Sequence, residues 1–168
     1  MSLFGRTVRQ IRQVCQTQCG PTAQAHHIIA DKTFRLGTRK ENWPRITTSG
    51  DFKPFPTLDS GAAICLDGAA SVKGTFHNLA HRADTRVTNL GKQSDIPGLE
   101  KVSDITDLHV ESAVYARPDC KSQIIDEVNT SMDGTDPNAL GRTTRNPPKP
   151  GSPAHNKLNG PNTYKGQE

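Results

Sequence analysis

Residues 25–29 read Ala25-His26-His27-Ile28-Ile29, and residues 74–81 read Gly74-Thr75-Phe76-His77-Asn78-Leu79-Ala80-His81. The chain has 6 histidines, and four of them lie in these two stretches, one pair adjacent and the other pair four apart. The run His27-Ile28-Ile29 predicts the end of a strand over residues 23–30. From Ser71 to about Ala83 the apolar stripe Val72, Phe76, Leu79 and Ala80 predicts a helix with Ser71 as its N-cap, despite Gly74. Helix positions four apart lie one above the other, with Cβ atoms about 5–6 Å apart. Two imidazoles so placed can each reach one ion at about 2.0–2.1 Å. Neighbouring strand residues point to opposite faces, so His26 and His27 cannot do the same job. One of them can face the helix and complete a three-histidine site. The other is left beside the ion, free to take a proton from water.

Working outward, residues 62–67, bounded by Gly61 and Gly68, predict a second strand. Phe4, Val8, Ile11 and Cys15 share one face and predict a helix over 3–15, stopped by Gly20-Pro21. Further amphipathic helices are expected at 104–116 (Ile105, Leu108, Ala113) and 121–132 (Ile124, Ile125, Val128, Met132). Residues 31–61 read as irregular, with Trp43 and Phe52 as loop anchors at the core edge. After Gly134, Pro137, Pro147, Pro148, Pro150, Pro153 and Pro161 fall among Gly, Asn, Thr and Lys. Such a composition predicts a tail or extended wrap over 134–168 with little to bury. The expected architecture is α+β: a domain over 1–133, with its strands and site helix within about 22–90, flanking helices and long irregular loops.

With 168 residues, 32% of them hydrophobic and 5% aromatic, one small core can be built. No apolar stretch is long enough to span a bilayer. Arg6, Arg9 and Arg12 stand near the start without an apolar core region, so no Sec-type signal is expected. Cys15, Cys19, Cys65 and Cys120 are too sparse for a disulfide scaffold, and reduced thiols are expected. A net charge of +4 suits a polyanionic partner.

The run Ala25-His26-His27-Ile28-Ile29 resembles the AHH/GHH-type nucleases of the HNH and endonuclease VII (His-Me finger) superfamily. Ile64-Cys65-Leu66 and the stretch Gly74 to His81 resemble the second strand and the helix of its ββα-metal motif. The whole pattern is most similar to the nuclease domains of DNA-cleaving colicins, and to related domains of polymorphic and type VI-delivered bacterial toxins. The resemblance covers about residues 22–90, under half the chain, and departs from the family in the 49-residue connection between His27 and His77.

The resemblance implies His26, His77 and His81 as metal ligands and His27 as the general base. Asn78 stands where many members carry an Asn, so His26, Asn78 and His81 is the alternative ligand set. One divalent ion is implied, Mg²⁺ or Mn²⁺, and a three-histidine site would also take Zn²⁺ or Ni²⁺. The implied activity is sequence-non-specific endonucleolytic hydrolysis of DNA, with RNA as the other substrate. The implied setting is a bacterial toxin acting in the cytoplasm of a target cell, paired with an acidic immunity protein. Lys32, Arg35, Arg39, Lys73, Arg82 and Arg86 are candidate phosphate contacts. His109, on the outer side of its helix, and His155 are read as ordinary surface residues. A different class of function would use the same ligands: a Zn²⁺-stabilised module that binds nucleic acid or protein without cleaving it, and so does not need His27. A zinc peptidase is disfavoured, because Asn78 stands where the H-E-x-x-H motif has its Glu.

Overall fold

The computed structural model describes residues 12–14, 23–38, 45–48, 51–159 and 163–166. It is of mixed helix-and-strand class, with small sheets and more helix than strand. The central strand is β4 (Ala62–Asp67), which pairs in parallel with β1 (Arg12–Val14) and antiparallel with β2 (Ala23–His27). Ala63, Ile64 and Leu66 are fully buried. Cover on both faces is what lets β4 read as an unbroken apolar run. Burying a side chain the size of Ile64 or Leu66 contributes about 1.5–3 kcal/mol.

After β4 the chain runs through α1 (Phe76–Ala80), α2 (Arg82–Gln93), α3 (Val102–Ala116) and α4 (Lys121–Met132). The main core joins the sheet to α3 and α4 through Ile28, Phe34, Phe55, Ile64, Leu66, Val102, Ala113, Ala116, Ile124 and Val128. Phe34 and Phe55 stack at 4.8 Å between ring centroids. Phe55 is therefore the aromatic anchor of its loop, while Phe52, expected in that role, is 46% exposed. Trp43, Arg39 and the Cys15/Cys19 pair lie outside the described residues.

The helices predicted over 104–116 and 121–132, and the strand over 62–67, are found at those places. Three expectations about secondary structure and packing need correction. Residues 12–14, expected as the end of a helix, are strand β1, held by pairing to β4 along Arg12↔Ala62, Gln13↔Ala63 and Val14↔Ile64. The helix expected from Ser71 starts instead at Phe76. Gly74 has φ of +88°, which no helix accommodates, and Thr75 is the N-cap, accepting from the Asn78 amide at 3.2 Å.

The third correction concerns the segment after Gly134, which is packed into the body. Strand β6 (Leu140–Arg142) pairs antiparallel with β5 (Leu99–Lys101). Helix α5 (Pro153–Leu158) buries Ala154 and Leu158 against Leu36, Ile46 and Leu99. Strand β7 (Thr163–Gly166) pairs antiparallel with β3 (Arg45–Thr48), inside the stretch expected to be irregular. What composition concealed is that Arg142 is fully buried, with main-chain carbonyls around both Nη atoms and its Nε left without a hydrogen bond. It donates to Arg35 O at 3.1 Å, Gly37 O at 2.6 Å, Thr144 O at 3.2 Å and Arg145 O at 2.8 Å. At Gly91 of α2 a Cβ would fall 1.9 Å from Thr143 Oγ1, so only glycine lets this segment lie so close.

Cys65 and Cys120 are both disulfide-bonded, which corrects the expectation of reduced thiols. Among the described residues no helix is long and apolar enough to cross a membrane.

Candidate metal centre

Strand alternation separates the two adjacent histidines as expected. His26 turns towards the helix side: its ring centroid lies 5.2 Å from that of His77 and 4.7 Å from that of His81. The His77 and His81 rings, one turn apart, are 5.0 Å from each other. The ligand nitrogens of the three all lie within 4.8 Å of one another, and they form a group that could hold a metal ion.

The hydrogen bonds around the rings decide which nitrogens are free. His77 Nδ1 lies 3.3 Å from the Gly68 carbonyl oxygen, and His81 Nδ1 lies 2.9 Å from Asp84 Oδ2. An oxygen of either kind can only accept, so each Nδ1 carries a hydrogen, and in the neutral tautomer this selects, Nε2 is the nitrogen left to bind an ion. Outer partners of this sort are the usual means of orienting a metal-ligating imidazole. Burial, and then the neighbouring His81 and His77, push the pKa of His26 down to about 3; burial likewise lowers that of His77. Both rings are neutral at pH 7, so a cation need displace no proton from them. The donor set, three clustered imidazoles of which His77 and His81 are held through Nδ1 by oxygen partners, therefore fits a divalent metal.

Asn78 does not join this group. Its side chain donates to Ala70 O at 2.8 Å and accepts from the Gly74 amide at 3.3 Å, bracing the turn ahead of α1. Its role is to hold the loop that presents His77.

His27 points to the other side of β2, where its Nε2 lies 2.8 Å from Leu58 O. The same reasoning puts the hydrogen on Nε2 and leaves Nδ1 as a proton acceptor. His27 nevertheless lines the same open cleft, of about 630 Å³, as the three clustered histidines.

Compared with known proteins, the chain matches no family model, no curated protein and no solved structure. The site therefore has to be read from its own chemistry.

The candidate phosphate contacts are scattered. Lys32 lines the cleft but is paired with Asp84 at 2.5 Å. Arg35 is 1% exposed and bonded to Asp31, which Arg45 also engages at 2.7 Å, so it cannot meet a substrate. Arg82 and Arg86 line a separate groove between α2 and α3, Arg82 with its guanidinium 6.0 Å from the Tyr115 ring centroid and Arg86 paired with Glu111 at 2.5 Å. Lys73 is exposed on the turn before α1. His155, on α5, lies outside the cleft.

Three cleft residues escaped the sequence reading. Asp84, three residues after His81, opposes its own burial through hydrogen bonds from His81 and Lys32, which hold its pKa well below the usual carboxylate range. His109, expected at the surface, is 3% exposed, and burial drives its pKa down to about 4. The spacing Ile105, His109, Ser112, Ala116 marks the buried stripe of α3 and was the available signal. His109 Nε2 has no hydrogen-bond partner. The third is Arg145, from the segment expected to be a tail.

Proposed function

We propose that this protein is a divalent-metal-dependent endonuclease of the His-Me finger type, with β2, β4 and α1 as its ββα-metal core. The observation that carries the reading is the cluster of His26, His77 and His81, oriented by Gly68 and Asp84, with His27 in the same cleft. Phosphodiester hydrolysis needs a nucleophile, charge neutralisation at phosphorus and help for the leaving oxygen. A divalent ion held by His26, His77 and His81 would supply Lewis acidity to the phosphoryl oxygens and the departing 3′-oxygen.

The chain's own residues supply the rest. The Leu58 carbonyl fixes the His27 tautomer, so that Nδ1 receives the proton of the attacking water as its oxygen bonds to phosphorus and the P–O3′ bond breaks. Lys32 adds positive charge to the cleft wall while keeping Asp84 ionised behind His81. Among the described residues no array of side chains suited to reading base edges lines the cleft, which favours cleavage of DNA without sequence preference.

The test is incubation of the protein with supercoiled plasmid and Mg²⁺, Mn²⁺, Ni²⁺, Zn²⁺ or EDTA, with His27→Ala alongside. The expected result is metal-dependent nicking that falls by at least about 100-fold in the variant, a typical loss for a general base. Metal affinity should not change. A His27→Ala protein as active as the parent would remove His27 as the general base, and a parent that nicks with none of the ions would favour a binding module in which the metal only stabilises the fold.

A further inference from the structure

Among the described residues every buried guanidinium is already engaged. Arg35 and Arg45 hold Asp31, Arg117 holds Asp119, and Arg142 holds four carbonyls. At the surface, Arg86 is paired with Glu111. Arg145 breaks this pattern. It lines the metal cleft, is exposed, and its guanidinium has no hydrogen-bond or ion-pair partner among the described residues. The other cation of the cleft, Lys32, is committed to Asp84.

The main chain beneath Arg145 is nonetheless firmly held. Its carbonyl accepts from Arg142 Nη2 at 2.8 Å, and the Thr144 carbonyl accepts from the same nitrogen at 3.2 Å. Thr143 O accepts from Thr88 Oγ1 at 3.1 Å, and the Thr143 amide donates to Gly98 O at 3.0 Å. A fixed backbone bearing a free cation is a preorganised anion receptor, because much of the ordering cost is met before the ligand arrives. The guanidinium fork matches two oxygens of a phosphate. Ser71, whose hydroxyl has no hydrogen bond among the described residues, lines the same cleft and offers a further donor.

We infer that Arg145 is a substrate-binding residue, gripping a backbone phosphate of the DNA beside the histidine cluster. This rests on the nuclease reading for the identity of the ligand. The C-terminal segment then has a task in the site: β6 and the Arg142 clamp deliver a phosphate contact to a cleft whose metal-binding residues all come from the first half of the chain.

The experiment measures binding of a short fluorescein-labelled DNA duplex by anisotropy. It is done in EDTA, where no metal-dependent cleavage occurs, across a salt series, for the parent protein, Arg145→Ala and Arg145→Lys. Cleavage with metal and thermal unfolding are measured on the same proteins. Losing one charge-assisted contact should weaken binding by about tenfold or more. The slope of log affinity against log salt should shrink by about 0.9, one phosphate's worth. Arg145→Lys should recover the slope and part of the affinity, with the unfolding temperature unchanged throughout. Arg145→Ala binding with the parent's affinity and slope, or a parent that does not bind the duplex, overturns the inference. The two readings fail separately. Arg145-dependent binding with no cleavage by any metal removes the nuclease and leaves the phosphate grip; cleavage indifferent to Arg145 does the reverse.

Discussion

Asp84 Oδ2 lies 2.9 Å from His81 Nδ1, while its other oxygen takes Lys32 Nζ at 2.5 Å. A carboxylate behind an imidazole fixes both the ring's orientation and its tautomer. Asn in place of Asp84 can present an NH₂ group to His81 and so favour the wrong tautomer. Asp84→Asn should therefore lower Zn²⁺ affinity by about 10–100-fold, as loss of such outer partners does. Competition against a chromophoric chelator reads this directly, and an unchanged affinity would show that His81 is held by other means.

His77 and Asn78 should separate cleanly. His77→Ala removes one of the three clustered nitrogens and should abolish tight metal binding. Asn78→Ala removes bonds to Ala70 O and the Gly74 amide, costing about 1–2 kcal/mol of stability while leaving the metal bound. Denaturant unfolding and metal titration of both variants measure this. The opposite outcome would restore His26, Asn78 and His81 as the ligand set.

Metal-free protein should lose stability in mild acid. His109 and His26 have folded pKa values of about 4 and about 3, against an ordinary 6.5, chiefly because burial penalises the charged ring. Below pH 6.5 the unfolded chain binds protons that the folded one does not. Their contribution is full above pH 6.5 and drains away as pH falls towards 4, at up to about 1.4 kcal/mol per pH unit for each group. Thermal melts in EDTA between pH 7.5 and 4.5 should show the fall, and His109→Phe, which also removes an unpartnered buried nitrogen, should flatten it.

Reductant should destabilise the protein. Cys65 lies on the central strand and Cys120 just before α4, both buried and both oxidised. Breaking a native disulfide in a small domain costs about 2–5 kcal/mol. Unfolding with and without a phosphine reductant measures the loss, and thiol titration of the denatured, unreduced protein should find neither cysteine reactive. Identical curves would return both to the reduced state that their low density suggested.

The histidine cluster was legible because it depends on two local periodicities, the alternation that parts His26 from His27 and the turn that stacks His77 on His81. Strand β4 was legible from its glycine brackets, and α3 and α4 from their stripes. What escaped depends on partners distant in sequence. Nothing local marks residues 12–14 as a strand, since β4 alone makes them one. Asp84 reads as one more helix carboxylate until Lys32 arrives beside it. A histidine on a helix is assigned to solvent by default, and only the packing of α3 puts His109 inside. A proline-rich polar segment promises no core, yet Arg142 enters one because the distant carbonyls of Arg35 and Gly37 and the local ones of Thr144 and Arg145 meet it there.

That last guanidinium has a consequence in time. Arg142 closes onto Arg35 and Gly37 across 107 and 105 residues of chain. Contacts so distant in sequence form late, because the intervening loop must first be ordered. During synthesis all the histidines of the cleft emerge well before the residue that pins the backbone at 35–37 and carries Arg145 into place. A ribosome holding the first three-quarters of this polypeptide thus holds the clustered histidines without their finished surroundings, and the cleft is completed only when the late strand docks.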